Sequence, residues 1–153
     1  MDDKTILLTG DGRTDDILKA LEEKELIEPG GTLHVNVIKL PHHGSKANIR
    51  ENFFQRLTAD HYVISADGSN DNPDKEVLDF IADNVLEGTL YLTNKTGKRE
   101  LGEKIQAFLD KVEDSGSTLK VKFLIDEDPP FIINLGGKSY ILILYKCHPK
   151  RQT

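Results

Sequence analysis

The segment TLHVNVIKLPHHGSKANI, residues 32–49, joins a run of strand-forming residues to two adjacent histidines. Residues 33–40 are rich in apolar and β-branched side chains, which is typical of a buried strand. A proline and a glycine then bracket His42 and His43, as in a loop that follows a strand. Since the chain contains only five histidines, two of them side by side at a strand end indicate a site with chemistry of its own.

Strand-like and helix-like patterns alternate on both sides of this segment. Upstream, residues 5–9 predict a short strand, and residues 15–27 predict an amphipathic helix with an acidic first turn. Downstream, the predicted elements are, in order, a helix over 51–57, a strand over 61–66, a helix over 74–85, a strand over 89–94 and a helix whose apolar face runs from Leu101 to Val112. Strands that alternate with helices favour a largely parallel sheet covered by helices.

The pattern changes after Gly116, where helix-like spacing ends. Three strands without an intervening helix are predicted over residues 118–125, 131–135 and 139–146, with NLGGKS (134–139) as a tight hairpin turn. The predicted fold class is therefore α/β, with a mixed, largely parallel sheet, flanking helices and antiparallel C-terminal strands. We divide the chain into residues 1–116 and an antiparallel strand tail, 117–153, that packs on the same domain.

Composition narrows the class of protein. The formal net charge of −6 without a block of basic residues argues against a nucleic-acid-binding surface. The single cysteine, Cys147, excludes an internal disulfide and fits a reducing compartment. The N-terminal residues do not form a signal segment, and the longest apolar run, YILILY (140–145), is too short to span a bilayer. We expect a soluble, cytoplasmic protein.

Polar residues cluster where three predicted strands end. The three clusters are Thr9-Gly10-Asp11-Gly12, His42-His43-Gly44-Ser45 and Asp67-Gly68-Ser69-Asn70-Asp71-Asn72. Because the carboxyl ends of parallel strands meet at one edge of a sheet, an aspartate and a histidine from neighbouring strands can converge there. Carboxylate and imidazole together suit zinc, manganese or iron.

Simpler interpretations remain open for each cluster. Asp11 before Gly12 also fits an ordinary turn after a strand. The histidine pair fits a loop with one ring stacked on the core, and residues 67–73 fit a loop that leads into the next helix. His34 lies inside a strand pattern and is interpreted as structural, whereas no partner is predicted for His61 or His148. Cys147 fits a small packed apolar residue better than a nucleophile.

The order of these motifs resembles a known family. ILLTGDGRTDDILKALEEKELI (6–27) followed by VNVIKLPHHGSKANIRENFFQRLTADHYVISADG (35–68) resembles the C-terminal half of a metallo-β-lactamase-fold hydrolase. The resemblance covers about residues 5–85 and is nearest to the branch that includes the hydrolase domain of bacterial DNA-uptake competence proteins. Three motifs occur in the order found in that family: Gly-Asp, His-His-Gly-Ser and Val-Ile-Ser. Their order and spacing are more specific for the family than any one motif. The resemblance implies one half of an αββα sandwich.

The resemblance also implies roles for individual residues. Asp11 matches the aspartate that bridges two metal ions. Either His43 or His42 matches the late histidine ligand, and His43 is the favoured match. His42 is then the candidate catalytic residue, next to the substrate or behind the metal ligands. Ser45 and Asn48 match polar positions near the substrate pocket. Asn72 belongs to the same pocket, although it stands before Pro73 where the family commonly has a histidine.

The chain departs from the family in one large respect. The main metal motif, His-x-His-x-Asp-His, is absent, because the histidines stand at positions 34, 42, 43, 61 and 148. Asp11 and one histidine fall short of the three or four protein ligands that zinc prefers. The complete fold is expected to hold two divalent metals, zinc or manganese, and this chain alone to hold them weakly or not at all.

The leading hypothesis is therefore the C-terminal part of a metal-dependent hydrolase acting on a phosphoester or related bond, inactive alone. The alternatives are a non-catalytic binding or assembly module with the same fold half, and an α/β domain whose histidine pair is incidental. The expected partner is an N-terminal half of the fold. A homodimer is also expected, because strand residues on both sheet faces would leave one face uncovered: Ile6, Leu8, Val35, Val37, Val63 and Ile64. Alternatively, the tail, residues 117–153, folds over that face and covers it within one chain.

Overall fold

The computed structural model describes residues 4–124, 131–135 and 141–144. In chain order the elements are β1 (Ile6–Leu8), α1 (Thr14–Glu23), β2 (Leu33–Lys39), α2 (Asn52–Arg56), β3 (Leu57–Ile64), α3 (Lys75–Asn84), β4 (Thr89–Leu92), α4 (Leu101–Asp114), β5 (Lys120–Phe123), β6 (Phe131–Asn134) and β7 (Ile141–Leu144). Short 3-10 turns, Pro41–His43 and Ser69–Asp71, lie in the loops after β2 and β3. No helix within the described residues has the length and hydrophobicity needed to cross a membrane.

Strands β1 to β5 form one sheet in sequential order, and each neighbouring pair is parallel. A helix connects each strand to the next, and such crossovers are almost always right-handed. Sequential strand order with a constant hand places the helices on one face of the sheet. Accordingly, a single core cluster joins buried residues of all four helices to the strands. The predicted α/β class with a largely parallel sheet is confirmed.

Strand β5 corrects one prediction about the C-terminal region. It pairs parallel with β4, with Thr89 opposite Lys120 and Leu92 opposite Phe123. Grouping it with antiparallel strands is wrong, because α4 forms a crossover long enough to bring the chain back in the parallel sense. The antiparallel pair is instead β6 and β7, in a separate two-stranded sheet. The turn predicted at 134–139 falls largely outside the described residues, as do Cys147 and His148.

The face of the sheet away from the helices carries a second core cluster. Ile133 and Leu135, which belong to the β6 segment, pack there against Val37, Val63 and Tyr91, and all five side chains are buried. At about 25 cal/mol per Å² of apolar area removed from water, a contact of this kind stabilises the fold by several kcal/mol. The tail therefore covers the centre of this face within one chain.

This cover corrects the expectation of a largely exposed sheet face. Of the six strand residues named above, only Ile6 and Leu8 on edge strand β1 are exposed, by 39% and 67%. The other four are buried. Their alternation is broken in β2, where the N–H groups of Asn36 and Val37 both donate to Thr5 O, as in a β-bulge. The homodimer stays a prediction. Most of the apolar sheet surface that motivated it is covered within the chain.

Two histidines outside the strand-end pair have partners. His34 Nδ1 lies 2.9 Å from Thr58 Oγ1, and its Nε2 lies 3.1 Å from Asp60 Oδ1. His61 Nδ1 lies 3.4 Å from Tyr91 Oη, so the prediction that His61 lacks a partner is wrong. Burial lowers the pKa of His61, and the nearby Lys122 lowers it further against the opposing effect of Asp60. The structural interpretation of His34 fits its hydrogen bonds.

Candidate functional site

The loops after β1 and β2 meet at the carboxyl edge of the sheet. The His42 N–H donates to Gly10 O at 3.0 Å, and Asn48 Nδ2 donates to Asp11 O at 2.7 Å. Thr9 Oγ1 also donates to Lys39 O at 2.6 Å, at the end of β2. Neighbouring parallel strands thus bring Asp11 and the histidine pair together, as their positions after β1 and β2 predict.

The histidine pair has an unusual backbone conformation. His42, His43 and Gly44 have φ values of 44°, 58° and 84°, so three consecutive residues are left-handed. Each non-glycine residue in this region costs on the order of 1 kcal/mol or more, and such conformations cluster at functional sites. The loop holds them through its surroundings: Asp74 N–H donates to Gly44 O at 3.0 Å, and Asn72 Nδ2 donates to His42 O at 3.3 Å.

Asn48 determines which nitrogen of His42 carries the proton. Its Nδ2 donates to the carbonyl oxygens of Asp11 and Gly12, at 2.7 and 3.4 Å, which fixes the orientation of the amide. Asn48 Oδ1 therefore faces His42 Nδ1 at 2.7 Å, and an amide oxygen can only accept. His42 Nδ1 must carry a proton, and the lone pair of the neutral ring lies on Nε2.

His43 is held in the same way by a different acceptor. Its Nδ1 hydrogen-bonds to Ser65 O, a backbone carbonyl at the end of β3 that can only accept. Neither Nε2 has a hydrogen-bond partner among the described residues, and both rings are exposed. Metal-binding histidines commonly donate one ring N–H to a carbonyl or carboxylate and bind the ion through the other nitrogen. Both rings are oriented as such a role requires.

The distance between the two rings separates their roles. Their centroids are 6.4 Å apart and their planes are inclined by 57°. A tetrahedral zinc ion bound by two imidazoles at about 2.0–2.1 Å would bring the centroids to about 5 Å. In these rotamers the two rings are too far apart to share one tetrahedral ion. This distance fits roles in which one ring binds the metal and the other lies beside it.

Asp11 contributes an uncommitted carboxylate to this edge. It is exposed, and its side chain has no hydrogen bond or ion pair to any described residue. Within residues 4–124, 131–135 and 141–144, no group of three or more His, Cys, Asp or Glu side chains is placed to hold a metal ion. The carboxylate and imidazole groups of this site are of the types that bind a metal ion. The described residues provide too few of them for a complete ligand set.

The residues predicted for the substrate pocket divide into two kinds. Ser45 and Asn72 are buried, at 9% and 6% exposure. Ser45 Oγ accepts from the Ala47 N–H at 3.3 Å, and Asn72 binds the His42 carbonyl, so both hold the loop in place. Asn48 is partly exposed and contacts His42 directly. Contact of these three residues with a substrate stays a prediction.

Thr14 supports the site and was not predicted from the sequence. It is fully buried at the start of α1. Its N–H and Oγ1 both donate to Asn48 O, at 2.8 and 3.1 Å, and its Oγ1 accepts from the Arg50 N–H at 3.0 Å. The threonine joins the first turn of α1 to the histidine loop. A hydroxyl residue at the first position of a helix is the only signal in the sequence, and it commonly indicates no more than a helix start.

Lys104 is a second support that the sequence did not reveal. From α4 its Nζ donates to Asp71 O, Asp71 Oδ1 and Pro73 O, at 2.6, 2.9 and 3.1 Å. This hydrogen-bonded ammonium lowers the pKa of Asp71. In the same loop, burial raises the pKa of Asp67, but hydrogen bonds from Ser69 together with the charge of Lys98 lower it, and the net shift is downward. Lys104 thereby ties the loop after β3 to α4, and the Asn72 bond to the His42 carbonyl joins the same loop to the histidine loop.

The hydrogen bonds predict a specific tautomer for each histidine. In their neutral state His42 and His43 should both be in the Nδ1–H form, whereas free imidazole side chains favour the Nε2–H form. Nitrogen chemical shifts of the rings, measured by long-range proton–nitrogen correlation, test this. Asn48→Ala should return His42, but not His43, to the Nε2–H form. An Nε2–H tautomer at both rings of the unmodified chain would contradict the assignment.

Comparisons of the chain with protein-family models, with curated proteins and with solved structures found no match.

Proposed function

We propose that this chain is the C-terminal part of a metallo-β-lactamase-like, metal-dependent hydrolase that acts on a phosphoester or related bond in the cytoplasm. One observation carries the proposal. Both strand-end histidines have Nδ1 bound to an acceptor and Nε2 open, at the sheet edge where the Asp11 carboxylate is also uncommitted. A left-handed backbone at both histidines is difficult to explain by packing alone, since both rings are exposed.

Each residue has a distinct role in this proposal. Asp11 would bridge two divalent ions, zinc or manganese, and His43 would bind one of them through Nε2. Such ions, when bound, lower the pKa of a water molecule towards neutrality and polarise the bond to be cleaved. His42 would face the substrate, where its unprotonated Nε2 can accept a hydrogen bond or a proton. Asn48 would keep that nitrogen unprotonated by holding the ring proton on Nδ1.

The described residues lack the remaining ligands, which an N-terminal half of the fold would supply. We therefore expect the isolated chain to bind zinc more weakly than about 10 µM and to show negligible phosphodiesterase activity, because stable zinc sites need three or four protein ligands. Isothermal titration calorimetry measures the zinc affinity, and hydrolysis of bis-p-nitrophenyl phosphate measures the phosphodiesterase activity. His34→Ala, at the opposite end of β2, is the matched control for His43→Ala. Zinc binding at micromolar or tighter affinity, lost in both Asp11→Ala and His43→Ala, would contradict the incomplete site.

A non-catalytic binding or assembly module is the second candidate, and the tail favours it. Ile133 and Leu135 cover the sheet face on which the second sheet of a complete sandwich would pack. A chain that covers this face itself has less need of another half. The natural reading frame distinguishes the candidates: an upstream segment encoding His-x-His-x-Asp-His supports the hydrolase, and its absence supports the module.

A further inference from the structure

A cleft lies at the amino ends of the strands, opposite the histidine pair. Strand β3 begins at Leu57, but β4 begins at Thr89, which pairs with His61, so the first residues of β3 extend beyond β4. The cleft of about 550 Å³ forms between this extension, the end of α3 and the turn before β5. That volume is within the range of small-molecule sites. Its location separates it from the candidate metal site.

The wall of the cleft combines apolar surface with one buried hydroxyl. Val85 and Leu86 line it, and Leu86 is 65% exposed, which is high for a leucine beside the core. Tyr62 also lines it and is only 2% exposed. Tyr62 Oη accepts from the Ala59 N–H at 2.9 Å, but among the described residues nothing accepts the proton of this hydroxyl. A buried donor without an acceptor is costly, so this hydroxyl is suited to a ligand that carries an acceptor oxygen.

The charges around this hydroxyl are negative. Glu87 lines the cleft and has no ion pair or hydrogen bond with any described residue. Asp60 lies nearby, held by Asn36 Nδ2 at 2.8 Å and by His34. Burial raises the pKa of Tyr62, and the charges of Asp60 and Glu87 raise it further, so the hydroxyl stays a donor. The described lining residues include no lysine or arginine; their one basic side chain is His34, whose ring is already hydrogen-bonded to Thr58 and Asp60.

We propose that this cleft binds a small organic amine: an ammonium group that pairs with Glu87, an adjacent carbonyl oxygen that accepts from Tyr62, and an apolar body against Val85 and Leu86. An α-amino ester or amide, including the N-terminal residue of a peptide, carries these three parts on adjacent atoms. Glu87 in the wall and Asp60 beside it disfavour anionic ligands, and the described lining residues include no lysine or arginine to offset them. The ligand class thus differs from the phosphoester proposed for the opposite edge.

The test compares three compounds that share a phenylalanine body and differ in charge. At about pH 6, where the α-amino group is protonated, L-phenylalanine methyl ester is cationic, N-acetyl-phenylalanine methyl ester is neutral and N-acetyl-phenylalanine is anionic. In amide-resolved NMR titrations of the full chain, the cationic ester should bind in the millimolar range, as expected for a ligand of this size. Its shifts should localise to residues 58–62, 84–88 and 116–118. The neutral compound should bind at least about fivefold more weakly, and the anion should not bind.

Two variants assign the contacts. Glu87→Gln should weaken binding of the cationic ester about tenfold and remove its advantage over the neutral ester, which corresponds to one charge-assisted contact. Glu103→Gln makes the same charge change at an exposed position in the first turn of α4 and should leave binding unchanged. Tyr62→Phe should weaken both esters, with retention of fold checked by circular dichroism. Equal binding of cation and anion, shifts outside the cleft, or no binding of the ester at 20 mM would each overturn the proposal.

Discussion

Ile133→Asp is expected to lower the free energy of unfolding by about 3 kcal/mol or more and to make the chain self-associate. Ile133 is 2% exposed and lies in the cluster with Val37 and Val63 on the sheet face opposite the helices. Burying an unpaired carboxylate there costs several kcal/mol, in addition to about 2 kcal/mol of lost apolar burial. If β6 instead detaches, Val37, Val63 and Tyr91 become exposed together and form the apolar patch that monomers seldom tolerate.

Urea unfolding and sedimentation velocity at micromolar concentration measure the two effects. Leu26→Asp is the matched control, because it makes the same chemical change at a leucine that is 61% exposed. It should shift stability by less than about 0.5 kcal/mol and leave the chain's association state unchanged. An Ile133→Asp chain with the unfolding midpoint and sedimentation coefficient of the parent would show that the tail is not the cover of this face.

Gly68→Ala is expected to destabilise the fold by about 2–5 kcal/mol. Gly68 has φ +81°, and a Cβ atom built there would lie 2.1 Å from Lys98 O. That oxygen belongs to the backbone of the loop after β4, so it cannot move aside as a flexible side chain would. Overpacking of this kind costs about 1–3 kcal/mol, and the left-handed conformation of alanine adds about 1–2 kcal/mol. The loop after β3, which carries Asp71 and Asn72, should be displaced with it.

Gly30→Ala separates the two contributions. Gly30 has φ +73°, close to that of Gly68, but nothing lies within 4 Å of a Cβ atom there. The control should therefore lose only the conformational part, about 1–2 kcal/mol. Thermal unfolding of both variants under the same conditions gives the difference. Equal losses would mean that the close approach of the two loops contributes nothing measurable.

The helices and most strands of this fold are predictable because their apolar periods are regular. Buried residues of α3 and α4 repeat at helical spacing, and the structure places both helices over the regions that this spacing predicts. The start of β3 was missed, because Leu57 was assigned to the apolar face of the preceding helix. Residues 57–60 do alternate between buried and exposed, but a small alanine and two polar residues make the alternation hard to recognise.

The direction of β5 was also missed, although the rule that determines it is simple. A helix between two strands returns the chain to the same end of the sheet, so β4, α4 and β5 form one more parallel unit. The sequence after residue 117 lacks helix-like spacing, which predicts strands but leaves the direction of the first of them open. The apolar pattern was enough to predict that β5 is a strand. Its direction could be predicted only from the helix that connects it to β4.

The candidate site shows a similar division. The types and order of Asp11, His42 and His43 are readable from the sequence, as is their position at the strand ends. The hydrogen bonds that give these residues a chemical state are not readable, because they join residues far apart in the chain. Two of these hydrogen bonds depend on how the first two loops meet: the bond between His42 Nδ1 and Asn48 Oδ1, and the bond from Thr14 to the Asn48 carbonyl.

The sequential order of the sheet has a consequence for synthesis of the protein. Because each of the strands β1 to β5 pairs only with its neighbours in the chain, a nascent polypeptide can add them one at a time as they leave the ribosome. Ile133 and Leu135 emerge after all five, so Val37, Val63 and Tyr91 are assembled into the sheet before their cover exists. We expect the ribosome-bound intermediate to be a substrate for chaperones that hold apolar strands, and release of the finished chain to end that dependence.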